Sequence, residues 1–409
     1  MNENDRGYPG WRVMWACAAA AFFASTPYQV FAVFLLPVSE EFSWSRESAS
    51  GAYAVMAVSA AAAAPLVGRL IDRIGARPVI VLSMIVVGLA VSSLSMLTAS
   101  LAHLYGVSIA IGVATIGASA VAHSRVIFGW FDVHRGRALG LMLAGGMVSA
   151  IVLPPAAVNL IRAFGWRAAW VVLGMLIVVV GVPLVSRFLQ ERTAMSDAES
   201  AMVQGASVAE ALRSRLLWTL MATIFGAAMM VSGAIVHTSA LLTDRGFSPG
   251  VAAAVMSGMG AANLAGRLLT GWLLDRYAAP RVAAVLLTVG ATGGLLMANA
   301  DSLGAAVIAA VLIGGGSGGE IDVNPYLLSR YFGLRSLATL YGFNWMALGT
   351  ASAIGPILMG RAHDATGSYA MILSELALVT LVTAGLLLTL PAPRASASRP
   401  AGSGLAPVE

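Results

Sequence analysis

An arginine stands inside one of the most apolar stretches of this 409-residue chain. The stretch NLAGRLLTGWLLDRY, residues 263–277, places Arg267 eight residues before Asp275, about 12 Å away along a helix. A charge at that depth in a bilayer costs about 2.5–3.5 kcal/mol, so we expect Arg267 to face a partner or a watery cavity. Because a guanidinium is always charged and offers two parallel donors, Arg267 is predicted to bind a carboxylate.

Further polar side chains in apolar stretches are candidates for the same site. Asn263 lies one turn before Arg267 on the same helix face, where its amide can orient the guanidinium or contact a substrate. The other candidates for substrate contact are Tyr28, Gln29 and Asn344. His237 is a candidate for sensing or relaying protons, because imidazole titrates near neutral pH. The alternative for such a histidine is a hydrogen bond between helices.

Two carboxylates lie in another apolar stretch, GGGSGGEIDVNPYLLSRYFG. Glu320 and Asp322 are separated by about 200° around a helix, so only one of them is expected to face a central cavity. We favour Glu320 as the group that responds to protons. The glycines before it allow close approach of helices or substrate, and Pro325 removes a backbone hydrogen bond. The alternative for each acid is an ion pair or a hydrogen bond within the helix packing.

The composition is that of a protein embedded in a membrane. The chain is 58% hydrophobic and 11% charged with a mean hydropathy of +0.83, whereas soluble domains carry about 25% charged residues. Apolar stretches long enough to cross the hydrocarbon recur along the chain, and we predict an all-α membrane protein with twelve transmembrane helices. The predicted spans are 11–37, 51–71, 78–98, 103–129, 137–159, 167–189, 216–242, 250–273, 280–298, 303–330, 337–359 and 370–392.

The arginines set the predicted orientation. All 24 basic residues are arginine, and most of them fall in the loops and tails on the side of the termini. The positive-inside rule therefore predicts that both termini are cytoplasmic. The net charge of +5 follows from this asymmetry and does not indicate a nucleic-acid partner. The composition and the short loops indicate a bacterial inner membrane, and the single cysteine, Cys17, excludes an intramolecular disulfide and a cysteine-based metal cluster.

The two halves of the chain share a pattern. GRLIDRIGAR near residue 70 recurs as GWLLDRYAAPR near residue 273. Related halves of six spans in parallel orientation are typical of one class of secondary transporter. The predicted organisation is two pseudo-symmetric six-helix bundles, residues 1–189 and 216–392. A cytoplasmic connector, 190–215, joins them, and a disordered cytoplasmic tail, 393–409, follows.

Several sequence blocks resemble one transporter family. The Gly-x-x-x-Asp-Arg loop after the second and eighth spans is similar to the signature loop of the major facilitator superfamily. Within that superfamily, the chain resembles the monocarboxylate transporter group and its oxalate/formate exchanger relatives. The blocks that carry this resemblance are GWRV, EEFSWSRESAS, WFDVHRGRALG, NLAGRLLTGWLLDR and RYFGLRSLATLYG.

The resemblance implies roles for particular residues. It implies that Arg267 binds the substrate carboxylate. It also implies a gating latch on the cytoplasmic side made by Asp72, Arg73, Asp275 and Arg276. The alternative for these four residues is a set of interfacial anchors whose ion pairs contribute little. The chain departs from its animal relatives at Asn263, where they have an aspartate, and at Tyr28 and Gln29, where they have a lysine.

We therefore predict a secondary active transporter that works by alternating access in the lipid bilayer. The predicted activity is proton-coupled symport of a small monocarboxylate anion of the lactate or pyruvate type, with the proton as coupling ion and no cofactor. An organic anion exchanger of the oxalate/formate type is the first alternative, and a nutrient sensor on a transporter scaffold is the second. An enzyme is not predicted, because the sequence has neither a metal-spaced cluster nor a nucleophile with a base.

Overall fold

The computed structural model describes residues 8–44, 46–191 and 205–390, and these residues fold mainly as helices. One isolated bridge between Gly205 and Gly333 is the only β pairing among the described residues. The side chains of Glu320 and Asp322 lie outside the described part of the chain, although their backbone belongs to a helix.

The first half contains eight α-helices. These are α1 Pro9–Ala24, α2 Thr26–Phe42, α3 Arg46–Ile74, α4 Ala76–Ser93, α5 Leu101–Gly117, α6 Ala120–Trp130, α7 Arg135–Met175 and α8 Val182–Phe188. Gly165 has a non-helical backbone with φ of 79°, so α7 consists of two helices that meet at this residue. A π-helical turn, Leu176–Gly181, then joins α7 to α8.

The second half contains a short helix and seven long ones. These are α9 Val208–Arg213, α10 Arg215–Asp244, α11 Pro249–Leu274, α12 Ala279–Ala298, α13 Leu303–Ser317, α14 Glu320–Phe332, α15 Leu337–Thr366 and α16 Ala370–Leu388. Ser207 and Glu210 cap α9 reciprocally, since each side chain accepts a hydrogen bond from the backbone N–H of the other residue.

Each of the twelve predicted spans coincides with one of these helices or with a broken pair. Among the described residues, eight helical stretches are long and apolar enough to cross a bilayer, and one of them, 135–188, holds the fifth and sixth predicted spans. Three predicted spans are not long and apolar enough by this measure. They are α11, which carries Arg267; the broken pair of α13 and α14; and α15. The all-α prediction is therefore confirmed. Fewer than twelve stretches are long and apolar enough, because polar residues and breaks interrupt the helices of the second half.

Three spans are interrupted at their centres. Ser25 separates α1 from α2, Ala118 and Ser119 separate α5 from α6, and Gly318 and Gly319 separate α13 from α14. The last two breaks lie in the fourth span of each half. Backbone irregularity at membrane depth is tolerated where it is buried in protein or lines a cavity, so these breaks mark the place to look for a site.

The two halves pack against each other mainly through α3 with α15 and through α7 with α11. Glycines make both crossings close. A Cβ at Gly68 would overlap the Ala338 carbonyl, and one at Gly136 would overlap the Gly271 carbonyl. Small residues that let helix backbones touch are the usual means of tight packing in membranes. We call the end of the molecule at these crossings the terminal face, because Tyr8 at the start of α1 contacts Trp130 there.

The predicted connector, 190–215, is described only at its two ends. After the gap, Ala206 donates its backbone N–H to the Phe332 carbonyl at 2.8 Å, which fixes the chain to the end of α14. The predicted disordered tail, 393–409, lies outside the described residues. The proposed domain boundaries therefore stay a prediction.

Candidate functional site

A cavity of about 500 Å³ lies between the two halves. Its wall is mostly alanine, glycine and aliphatic side chains from spans 1, 2, 4 and 5 of the first half and from α11 and α15 of the second. Two of the three breaks contribute to it through Ser25 and through Ala118 and Ser119. Arg267 is the only charged residue that lines it among the described residues. The cavity thus presents one cation in an apolar, central setting.

Arg267 is held at the break in the tenth predicted span. Its Nε donates a hydrogen bond to the carbonyl oxygen of Gly318 at 3.3 Å. Gly318 must be a glycine here, because a Cβ would lie 2.7 Å from the backbone nitrogen of Arg267 and would overlap the Asn263 carbonyl. The break and the arginine therefore position each other.

Asn263 contacts the same break but does not line the cavity. Its Nδ2 donates to the Ser317 hydroxyl at 3.0 Å, and that hydroxyl donates to the Gly314 carbonyl at 3.0 Å. Asn263 thus stabilises the packing of α11 on α13. The backbone of Glu320 begins α14 two residues after Gly318, near the carbonyl that Arg267 contacts. Glu320 and Asp322 remain predictions for proton coupling.

Tyr28 and Gln29 line the cavity on the side of the first half. The Tyr28 hydroxyl donates to the Met56 carbonyl at 3.2 Å, and its ring packs edge-on against Tyr53 at 5.6 Å. The Gln29 amide donates to the Gly146 carbonyl at 3.5 Å, the limit of a hydrogen bond. A contact this long is easily exchanged for one to a ligand.

Asn344 and His237 lie away from the cavity wall. Asn344 is fully buried and donates to the Asn324 side chain at 3.1 Å. His237 is hydrogen-bonded through Nε2 to the Pro356 carbonyl at 2.9 Å, and its ring lies 5.0 Å from that of Tyr369. The structure therefore brings Arg267, Tyr28 and Gln29 together around the cavity and places these two residues in helix contacts.

Asp72 joins the two halves at the terminal face. Its carboxylate accepts hydrogen bonds from the backbone N–H groups of Ala338 at 3.1 Å and Thr339 at 2.8 Å, and from the Thr339 hydroxyl at 2.6 Å. Arg125 forms an ion pair with the same carboxylate at 2.8 Å. An anion at a helix N-terminus is favourable, because the first N–H groups have no partners within the helix.

Asp275 makes the equivalent contact in the opposite direction. Its carboxylate accepts hydrogen bonds from the backbone N–H groups of Gly136 at 2.7 Å and Arg137 at 3.2 Å, in the first turn of α7. Burial raises the pKa of the Asp275 carboxyl above its usual range, and the two N–H groups oppose that shift. We use the term latch for Asp72 and Asp275 with the helix ends that they cap.

The arginines of the repeated loop do not enter this latch. Arg73 and Arg276 are exposed, and the guanidinium of Arg276 lies 4.0 Å from the centre of the Trp272 ring. The partners of the aspartates are instead Arg125 and the first turns of α7 and α15, which the sequence did not identify. The run His-Ser-Arg at 123–125, polar within an apolar span, was the available signal for Arg125.

No group of three or more histidine, cysteine or acidic side chains that could hold a metal ion occurs within the described ranges. The described wall of the cavity offers hydrogen-bond donors, acceptors and one charge, a set that can bind and release an ion.

Comparison with known proteins gives matches over most of the chain. The family description of the Major Facilitator Superfamily matches residues 17–356 and 234–408. Human monocarboxylate transporter 11 is 27% identical over 97% of this chain and 86% of its own length. Monocarboxylate transporter 13 from Rattus norvegicus is 27% identical over 80% of this chain and 76% of its own length.

Two solved structures share the fold. The fucose:proton symporter of E. coli superimposes with a TM-score of 0.69 at 16% identity, covering 91% of this chain and 98% of that structure. A human organic anion transporter has the same TM-score at 13% identity, covering 93% of this chain and 99% of that structure.

Proposed function

This chain belongs to the major facilitator superfamily of membrane transporters, and from that premise we propose that it carries a small organic monocarboxylate across the membrane together with a proton. The observation that carries the proposal is the central cavity with Arg267 as its one charged residue among those described. A guanidinium in a cavity with a mostly apolar wall binds a carboxylate strongly, because low-dielectric surroundings screen the interaction less than bulk water does.

In the proposed binding mode, Arg267 holds the carboxylate of the substrate. Its Nε is hydrogen-bonded to the Gly318 carbonyl, and the residue lines the cavity. Tyr28 and Gln29 lie across the cavity and contact the remainder of the substrate. Asn263 acts indirectly, through the packing of α11 on α13.

Proton coupling is proposed to follow from the charge of Arg267. With an ionised acid nearby, Glu320 by preference, the guanidinium is neutralised internally. Protonation of that acid frees the guanidinium for the substrate, and the loaded site is then neutral. Movement of a single unpaired charge through the closed intermediate is costly, so neither ion moves easily alone.

The latch is proposed to control access. The contacts of Asp72 and Asp275 close the terminal face, which we place in the cytoplasm with both termini because of the arginine distribution. This form therefore corresponds to the outward-facing state, and rocking of the halves breaks both contacts. We further propose that the membrane is a bacterial inner membrane.

The test is uptake of radiolabelled lactate into proteoliposomes, with and without an inward proton gradient, beside Arg267→Ala and Glu320→Gln. We expect the wild type to show saturable uptake driven by the proton gradient, and we expect Arg267→Ala to abolish it. Uptake by Glu320→Gln should no longer depend on the proton gradient. Full proton-dependent uptake by Arg267→Ala would contradict the proposal. Entry of labelled oxalate driven only by internal oxalate would favour the exchanger, although a dianion would be expected to meet two cations and the described wall holds one.

A further inference from the structure

One buried histidine has no hydrogen-bond partner within the described part of the chain. His123 in α6 is 0% exposed, and neither its Nδ1 nor its Nε2 contacts a donor or acceptor among the described residues. This distinguishes it from His237, whose Nε2 is bonded to the Pro356 carbonyl. A neutral imidazole carries one donor and one acceptor, so both capacities of His123 are unused in this state.

Buried polar groups in folded proteins are almost always paired, and an exception calls for a function or for an ordered water molecule. His123 is well placed for both. Ser119 and Ala120, at the start of the same helix, line the cavity. Because a helix rises 1.5 Å per residue, His123 lies about one turn, or 6 Å, below Ser119. Water in the cavity therefore needs to penetrate by only about one helical turn to reach the ring.

The other side of His123 leads to the latch. Arg125, two residues further along α6, forms the ion pair with Asp72 at 2.8 Å. Asp72 in turn caps the N-terminus of α15 through Thr339. His123 thus lies on the one helix that connects the cavity wall with Asp72 through a direct ion pair.

We propose that His123 is a second protonation site, which transmits proton binding in the cavity to the latch. A lone pair of the imidazole accepts a proton from cavity water, and the ring becomes an imidazolium. The same proton leaves to water on the terminal side after the halves have rocked. This inference rests on the proposed proton symport and adds to the role proposed for Glu320.

The charges around His123 define what its protonation does. The helices that pack against α6 are α1, α3, α4, α5, α7, α14 and α15. Their ionisable groups in or near the interior are Cys17, Asp72, Tyr326 and Tyr341. The side chains of Arg46, Glu47, Glu320 and Asp322 lie outside the described residues. The remaining ionisable groups are Arg12, Tyr53, Arg69, Arg73, Arg77, His103, Tyr105, Arg135, Arg137, Arg162, Arg167, Arg330, Tyr331, Arg361, His363 and Asp364.

Two described carboxylates form ion pairs with Arg125 of α6, Asp72 at 2.8 Å and Glu191 at 3.4 Å. Side chains two residues apart on a helix point to different sides, so an imidazolium at His123 repels the Arg125 guanidinium through the low-dielectric interior and not by contact. The Arg125–Asp72 pair is therefore weakened when His123 is protonated, and the cap on α15 weakens with it. Proton binding then favours opening of the terminal face.

The experiment compares His123→Gln with the wild type in lactate-loaded and empty proteoliposomes. Glutamine keeps a donor and an acceptor but does not titrate near neutral pH. We expect His123→Gln to lose accumulation driven by the proton gradient and to keep counterflow, the entry of labelled lactate against unlabelled lactate without a gradient. His103→Gln, a histidine at the start of α5, is the matched control and should keep both.

A second readout does not depend on the substrate. A cysteine at Ala138, buried at the terminal face, reports opening by its reaction with a water-soluble maleimide in a Cys17→Ala background. Because the thiolate is the reactive form of cysteine, each labelling rate is divided by the rate for the denatured protein at the same pH. With His123 present we expect this ratio to increase as the pH falls from about 8 to about 5. With His123→Gln, the ratio should not change with pH.

The outcomes separate the two proposals. A wild type without gradient-driven uptake contradicts the proposed symport. If the wild type and His123→Gln show equal gradient-driven uptake, only the role of His123 is contradicted. The same holds if His237→Gln loses gradient-driven uptake and His123→Gln keeps it. If His123→Gln loses uptake and counterflow equally and its labelling still depends on pH as in the wild type, the role of His123 is structural. That result also overturns the inference.

Discussion

Asp72 in the first half of the chain caps a helix of the second half: its Oδ2 accepts hydrogen bonds from the backbone N–H of Thr339 at 2.8 Å and from its hydroxyl at 2.6 Å. Asp275 returns the contact by capping α7 at Gly136. The repeated loop therefore contacts the opposite half through carboxylates at helix N-termini, and its arginines remain exposed. This relationship makes the latch accessible to single substitutions.

Asp72→Asn is expected to weaken the latch. The asparagine keeps the size of the side chain, but it loses the ion pair with Arg125 and the charge that the N–H groups favour. Hydrogen bonds to a charged group contribute about 1.5–3 kcal/mol, so we expect roughly a tenfold or larger shift toward the open terminal face. Maleimide labelling at Ala138→Cys measures this shift. Asp301→Asn, an exposed carboxylate elsewhere, is the control, and equal labelling in both variants would contradict the prediction.

Gly68→Ala is expected to push the two halves apart at the terminal face through steric overlap. The new Cβ overlaps the Ala338 carbonyl, whereas a Cβ at Gly258, in the middle of α11, meets nothing within 4 Å. Overpacking of a close contact costs about 1–3 kcal/mol, so Gly68→Ala is expected to raise labelling at the terminal face. Gly258→Ala is the matched control. If both variants remain closed, the glycine crossing does not determine closure.

Arg267→Lys should distinguish a paired donor from a simple charge. Lysine keeps the positive charge but lacks the planar fork, and it cannot keep both the bond to Gly318 and two parallel bonds to a carboxylate. We expect KM for lactate to rise about tenfold or more, the effect of losing one charged hydrogen bond. Kinetics of uptake in proteoliposomes measure the change. An unchanged KM would show that the carboxylate does not bind to Arg267 as a bidentate ligand.

Glu41 should make the packing at the end of α2 sensitive to acid. Its carboxylate accepts a hydrogen bond from Trp166 Nε1 at 2.6 Å and forms an ion pair with Arg167 at 2.6 Å. These contacts hold the pKa of Glu41 below its ordinary value. The stabilisation is therefore present above that ordinary value and is lost as the pH falls through the lowered pKa.

The emission of Trp166, isolated as the difference between the wild type and Trp166→Phe, reports the loss of this contact. We expect the emission to change on acidification of the wild type. In Glu41→Gln the emission should be independent of pH across the same range. A change that persists in Glu41→Gln would assign the acid response to another group.

The residues of the predicted site show where sequence reasoning is sufficient. Arg267 could be assigned to the cavity because its burial cost demands a partner or water, whatever its neighbours are. Tyr28 and Gln29 could be named as candidates, since they are polar residues within an apolar span. Asn344 and His237 could not be placed, because the direction in which a polar side chain points depends on the rotation of its helix against all its neighbours.

The sequence by itself determined the all-α membrane architecture and the apolar surroundings of Arg267, because hydropathy is a local property of the chain. Tertiary structure alone decided that Asp72 meets Thr339, 267 residues away, that Asn263 faces Ser317, and that His123 has no partner among the described residues. These outcomes depend on how two halves of similar sequence pack together. That packing is fixed by the fit of many small side chains at once and not by any one motif.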